Sequence, residues 1–165
     1  MHTRHIDKIQ PKQNHSARLI FFATAYGELT ESALPLLNFL DILTVHNVYR
    51  FQILKFTYLW HKGLLPKLFS NYFQYASNVH KYNTRYASKQ NLYVKKVRTN
   101  KGKQTIGYAA CIIWNKVPLN LKELNIHQFS TQLNPYLLSE QHIIKRNLNI
   151  YSFFLIMFTL ASLWK

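Results

Sequence analysis

A chain of 165 residues carries 21 Lys and Arg against six acids, a formal charge of +15. Its apolar fraction of 48% excludes a chain disordered by composition, and its length allows one domain with a modest core. The single cysteine, Cys111, excludes an internal disulfide and implies no oxidising compartment.

The charge is unevenly placed. The acids are Asp7, Glu28, Glu31, Asp41, Glu123 and Glu140, so none lies in 42–122, a span that holds fourteen of the 21 Lys and Arg. The middle of the chain therefore carries a field of one sign that attracts phosphates or anionic lipid. A competing source of the same bias is an AT-rich coding sequence, which enriches Lys, Asn, Ile, Tyr and Phe without selection for binding.

In chain order, "MHTRHIDKIQPKQNHS" is polar and basic with no apolar stretch, and no secretory leader is expected. Ala17 to Ala25 reads as the end of a helix that starts near His5, with Pro11 predicted to interrupt it. Glu31 to Leu40 reads as a short helix, with Thr30 or Ser32 as N-cap and Pro35 early in it. Thr44 to Lys62 is the clearest element. Thr44 can cap it, and Val45, Tyr49, Ile53, Phe56 and Trp60 fall on one helical face, which Phe51, Leu54 and Tyr58 widen. Gly63 and Pro66 supply the stop, and Pro66 to Tyr75 is expected to open another short helix.

No helical period is visible from Ser77 to Lys103. "LYVKKV" has strand character, "TNKGK" looks like a turn, and "QTIGYA" reads as a second strand. "YAACIIWNKVP" reads as a buried helix ended by Pro118, with Cys111 as a small buried residue. Ile126, Phe129, Leu133 and Tyr136 or Leu137 mark a last amphipathic helix that Pro135 should cut or kink. The tail, Leu148 to Trp164, follows Lys145 and Arg146. It is expected to be an apolar helix, buried or interfacial, at the lower length limit for a membrane span. The expected fold is mainly α: a small helical domain over 4–138 with a short two-stranded β element, then an apolar tail over 139–165.

Catalytic constellations are hard to find. Six scattered acids argue against paired-carboxylate hydrolysis and against two-metal nucleotidyl transfer. His2 and His5 have helix-face spacing but sit at the terminus, and His46, His61, His80 and His127 are isolated, so no metal ligand is assigned. The four glycines form no phosphate loop, and no cofactor is implied. What stands out is "HKYNTRYASKQNLYVKKVRTNKGK", His80 to Lys103, which interleaves Tyr82, Tyr86 and Tyr93 with Lys and Arg and holds no acid. Cations release counterions from phosphates and aromatic faces stack on unpaired bases, so Arg85, Lys95, Lys96, Arg98, Lys101 and Lys103 are the candidate nucleic-acid contacts. The competing reading is a solvated loop.

Several ordered blocks support a family resemblance. They are "IDKIQPKQNHSARLIFFA", "LPLLNFLDILTVHNVYRFQILKFTYLWHKGLLPKLFSNYF", "HKYNTRYAS" and "VRTNKGKQTIGYAACIIWNKVPLNLK". Over Arg4 to Leu138 the chain resembles the region downstream of the palm domain in reverse transcriptases of non-LTR retrotransposons of the jockey-like and related lineages. Arg85, Arg98, Gly102, Trp114 and Asn115 match positions of its Tyr-Asn-Thr-Arg, Arg-Thr-x-x-Gly-Lys and Trp-Asn-x-Val/Leu-Pro blocks. The resemblance implies a parent RNA-directed DNA polymerase whose endonuclease and palm domains are not in this chain. It thus implies a non-catalytic remnant with RNA or single-stranded DNA as partner, in nucleus or cytoplasm. The alternative from another class is a small tail-anchored or membrane-associated protein.

Overall fold

The computed structural model describes residues 2–22, 33–79 and 89–143. Among them are α1 (His2–Phe22), α2 (Leu34–Phe39), α3 (Val45–His61), a 3-10 turn (Lys67–Phe69), α4 (Ala76–Val79), α5 (Asn100–Lys103), α6 (Ile106–Trp114), α7 (Leu119–Glu123) and α8 (Ile126–Ile143). The mainly helical reading holds.

The central helix is α3. The Thr44 side chain caps it by accepting from the Asn47 N–H. At its other end Gly63, at φ 69°, donates to the Trp60 carbonyl while Leu64 donates to that of Leu59. This pair of bonds closes a helix through a left-handed residue, a conformation that glycine adopts without a Cβ clash. α3 packs on α6 and α8. Leu54, Tyr58, Trp114, Phe129, Leu133 and Leu137 are fully buried where they meet. Tyr58 stacks on Phe129 at 4.0 Å between ring centres, and its hydroxyl donates to the Leu124 carbonyl. Of the expected α3 face, Ile53, Leu54 and Tyr58 are buried. Val45, Tyr49, Phe56 and Trp60 are half-buried, because Leu54 and Tyr58 turn the deepest line to one side.

Polar side chains fix the α2–α3 junction. Gln141 of α8 accepts from the Thr44 N–H and the Asn47 amide, and donates to Asn38 and to the Ile42 carbonyl. From α1, Gln10 and Gln13 accept from the Val45 N–H, and Gln13 donates to the Leu43 carbonyl. These bonds satisfy backbone groups that the end of α2 and the start of α3 leave unpaired.

Four expectations need correction. Pro11 does not interrupt α1, and Pro135 does not cut α8; both helices run through. Each proline is exposed, and the carbonyl it deprives of a partner belongs to an exposed residue, Asp7 or Thr131, so water can take the place of the missing donor. The short helix near residue 35 starts at Leu34 and is capped by Ala33 without a side-chain bond, while Thr30 and Ser32 lie outside the described residues. Pro66 opens a three-residue 3-10 turn instead of a longer helix.

The fourth correction is the two-stranded element. Among the described residues "LYVKKV" forms no strand; it makes a single antiparallel bridge, Leu92 to Tyr75. "TNKGK" is α5, capped by Thr99, and "QTIGYA" runs into α6. A six-residue window is too short to show a 3.6-residue period. Over 107–114 the period appears, with Ala110, Cys111 and Trp114 buried on one side. The sequence "LNLKE" forms α7, a helix not anticipated.

The Leu148–Trp164 tail, expected to be helical, lies outside the described residues. Among those described, no helix is long and apolar enough to cross a membrane.

Candidate nucleic-acid interface

Residues 89–98 form a strap laid along the α6–α7 corner, entered by a turn at Lys89 and Gln90, the latter at φ 54°, and irregular apart from the bridge at Leu92. Three side chains hold its first half by its backbone. The Trp114 indole donates to the Gln90 carbonyl at 3.1 Å. Asn115, at the end of α6, accepts from the Leu92 N–H at 2.7 Å and donates to the Leu92 carbonyl at 2.9 Å. Lys122 of α7 donates to the Lys89 carbonyl at 3.1 Å and to the Asn91 side chain at 3.0 Å. On the other edge, Ala76 donates to the Asn91 carbonyl and Tyr93 to the Gln74 carbonyl. Leu92 is thereby locked into the core with no exposed surface.

Lys122 is the unusual member. It is fully buried, and its ammonium lies 5.2 Å from the centre of the Trp114 ring. Burial, reinforced by the charge of Lys89, pulls its pKa down from 10.5 to about 8. Cys111, also buried, donates to the Gly107 carbonyl, and burial pushes its thiol up to about 11. It behaves as a core residue and not as a nucleophile.

Beyond Val94, which packs against the core, the charged residues of the strap turn to solvent. Lys95, Lys96 and Arg98 are exposed, while Val94 and Val97 are half-buried. Tyr93, Lys95 and Val97 line one cleft, of about 480 Å³, together with Tyr72 and Tyr108. Lys96 and Arg98 do not line it. Lys101 and Lys103, on α5, are exposed as well. So the structure presents five of the six candidate cations to solvent, only one of them, Lys95, at the cleft. Arg85, with Tyr82 and Tyr86, lies outside the described residues.

α5 is set against the strap by two small features. Thr99 accepts from the Gly102 N–H at 3.1 Å, and Gly102 sits so close to Val97 that a Cβ there would meet Val97 Cγ1 at 2.1 Å. Val is stiff at χ1, so Gly102→Ala must push α5 off the strap. The expected loss is about 1 kcal/mol despite the higher helix propensity of Ala, read as a lower urea midpoint; an unchanged midpoint would show that the valine simply rotates away.

The clasp of Trp114, Asn115 and Lys122 was not visible as a unit in the sequence. Its one signal was the adjacency of Trp and Asn just after an apolar run. Among the described residues no three of His, Cys, Asp and Glu converge. Compared with family models, with curated proteins and with solved structures, the chain finds no match in any of the three.

Proposed function

We propose that the chain is a non-catalytic remnant of a retrotransposon reverse transcriptase, and that the activity it keeps is weak, sequence-tolerant binding of single-stranded RNA or DNA. The observation that carries this reading is the strap. Its backbone is fastened from below by Trp114, Asn115 and Lys122, while Lys95, Lys96 and Arg98 stand in solvent, followed by Lys101 and Lys103. The fastened residues lead directly into the charges, so the basic run is tethered at one end before a strand arrives, which lowers part of the ordering cost of binding. No carboxylate occurs in 42–122 to compete for them.

With three to five phosphate contacts formed at once, log affinity falls against log salt with a slope of roughly −2 to −3.5 for a single strand. Replacing Lys95, Lys96 and Arg98 together by Gln flattens that slope and leaves the fold intact, since solvated charges contribute little to stability. Filter binding of a mixed-sequence oligonucleotide across a salt series measures both. A slope unchanged in the triple variant would leave the segment as a solvated loop whose charge comes from codon bias. The remnant reading also expects no primer extension on an RNA template with magnesium, and product above a boiled control would overturn it.

A further inference from the structure

Resting on that reading, we infer that the cleft beside the strap is a seat for one unpaired nucleobase of the bound strand, with Lys95 on the adjoining phosphate. The cleft measures about 480 Å³, which accommodates a base with its sugar. Its lining divides by chemistry. Tyr72, Tyr93 and Tyr108 supply aromatic faces, and Phe73 and Cys111, both buried, add apolar surface beneath. Base–aromatic stacking needs such faces and is indifferent to which base is presented.

At the rim stand Asn71 and Gln74, both exposed. A side-chain amide carries donors and an acceptor together and can turn to suit any base edge, so this rim does not select a sequence. Gly107 also borders the cleft. A Cβ added there would meet the Tyr72 ring at 3.9 Å, an ordinary van der Waals contact, so a larger side chain at this position takes up space against Tyr72. A duplex has no unstacked base to offer, so the seat favours single strands.

The seat is lined by Lys95 and not by Lys96 or Arg98. A strand with a base in the cleft therefore has Lys95 within reach of the phosphate next to that base. Lys96 and Arg98, outside the cleft, serve phosphates further along. This arrangement separates the base-dependent part of the affinity from the charge-dependent part.

The test uses the whole chain with two fluorescent probes of equal length, a mixed-sequence DNA oligonucleotide and its abasic counterpart, at fixed low salt. The expected result is binding of the base-carrying probe about tenfold tighter than the abasic one, from one stacked base. Tyr93→Ala combined with Tyr108→Ala, and separately Gly107→Leu, which fills the seat without removing a packed side chain, should each bring the ratio close to one. The affinity for the abasic probe should stay unchanged. Equal binding of the two probes by the wild-type chain overturns the seat while leaving phosphate binding in place. A ratio that persists in Gly107→Leu overturns it too. Binding of neither probe removes both the seat and the reading on which it rests.

Discussion

Trp114→Ala is expected to remove most of the stability of the domain, giving a chain with a urea midpoint below half that of the wild type or no cooperative transition at all. Trp114 is fully buried among Phe129, His61 and Lys122. Truncating a buried Trp to Ala costs about 3–5 kcal/mol through lost contacts and the cavity left behind. The Gln90 carbonyl loses its donor as well, at roughly 1 kcal/mol. Small domains hold only about 5–15 kcal/mol in total, so the sum is a large share of what there is. Trp114→Phe keeps most of the volume and removes the indole donor. Its cooperative transition should survive, shifted by about 1–2 kcal/mol, while limited proteolysis begins to cut in the strap. Equal effects of the two substitutions would show that the bond to Gln90, and not packing, dominates.

The parts of this fold that the sequence revealed are those that rest on local rules. α3 was legible because apolar residues recur along one face, Thr44 can cap and Gly63 can close the helix, and all three rules agree within one short span. α8 was legible from Ile126, Phe129, Leu133 and Leu137. The prolines misled because the rule concerns the bond they remove. It does not say whether the orphaned carbonyl can reach water, which depends on the face that tertiary packing leaves outside. The strand reading of "LYVKKV" holds only at Leu92, which forms a single bridge to Tyr75. Leu92 is satisfied by the Asn115 side chain, 23 residues away, and not by a neighbouring strand.

The candidate site was half legible for the same reason. Exposed cations announce themselves in a basic run with no acid, and Lys95, Lys96, Arg98, Lys101 and Lys103 are indeed exposed. The groups that fasten the chain ahead of them do not. Gln10, Gln13 and Gln141 at the α2–α3 junction, and Asn115 and Lys122 under the strap, all bond to backbone or polar groups more than twenty residues distant. No periodicity records a side chain whose partner is a remote carbonyl. Lys122 carries no mark of burial in the sequence, and only the fold shows it enclosed.

That enclosure gives Lys122 a pH signature. At pH 7, Lys122→Met keeps the length of the stem but strands the Lys89 carbonyl and the buried Asn91 side chain, both of which accept from the ammonium. Unmet acceptors cost about 1–3 kcal/mol, offset in part because a desolvated charge is removed. The variant should therefore be less stable by about 1–2 kcal/mol. The gap then depends on pH. In the unfolded chain the lysine keeps its proton up to 10.5, while in the folded chain burial releases it at about 8. Between those values the unfolded state binds more protons, so stability rises with pH. The contribution is complete above 10.5 and lost as pH falls through 8. Once solvent screening is allowed for, the rise amounts to about 1–2 kcal/mol. The Met variant lacks it, so the difference between the two chains should widen as pH is raised from 8 to 10.5, whereas tyrosine ionisation, common to both, cancels. Urea melts of the pair at pH 7, 8, 9 and 10 measure this directly. A gap that stays constant across the series would mean that the ammonium under Trp114 is hydrated in the folded chain, and that the strap is held by Asn115 and Trp114 alone.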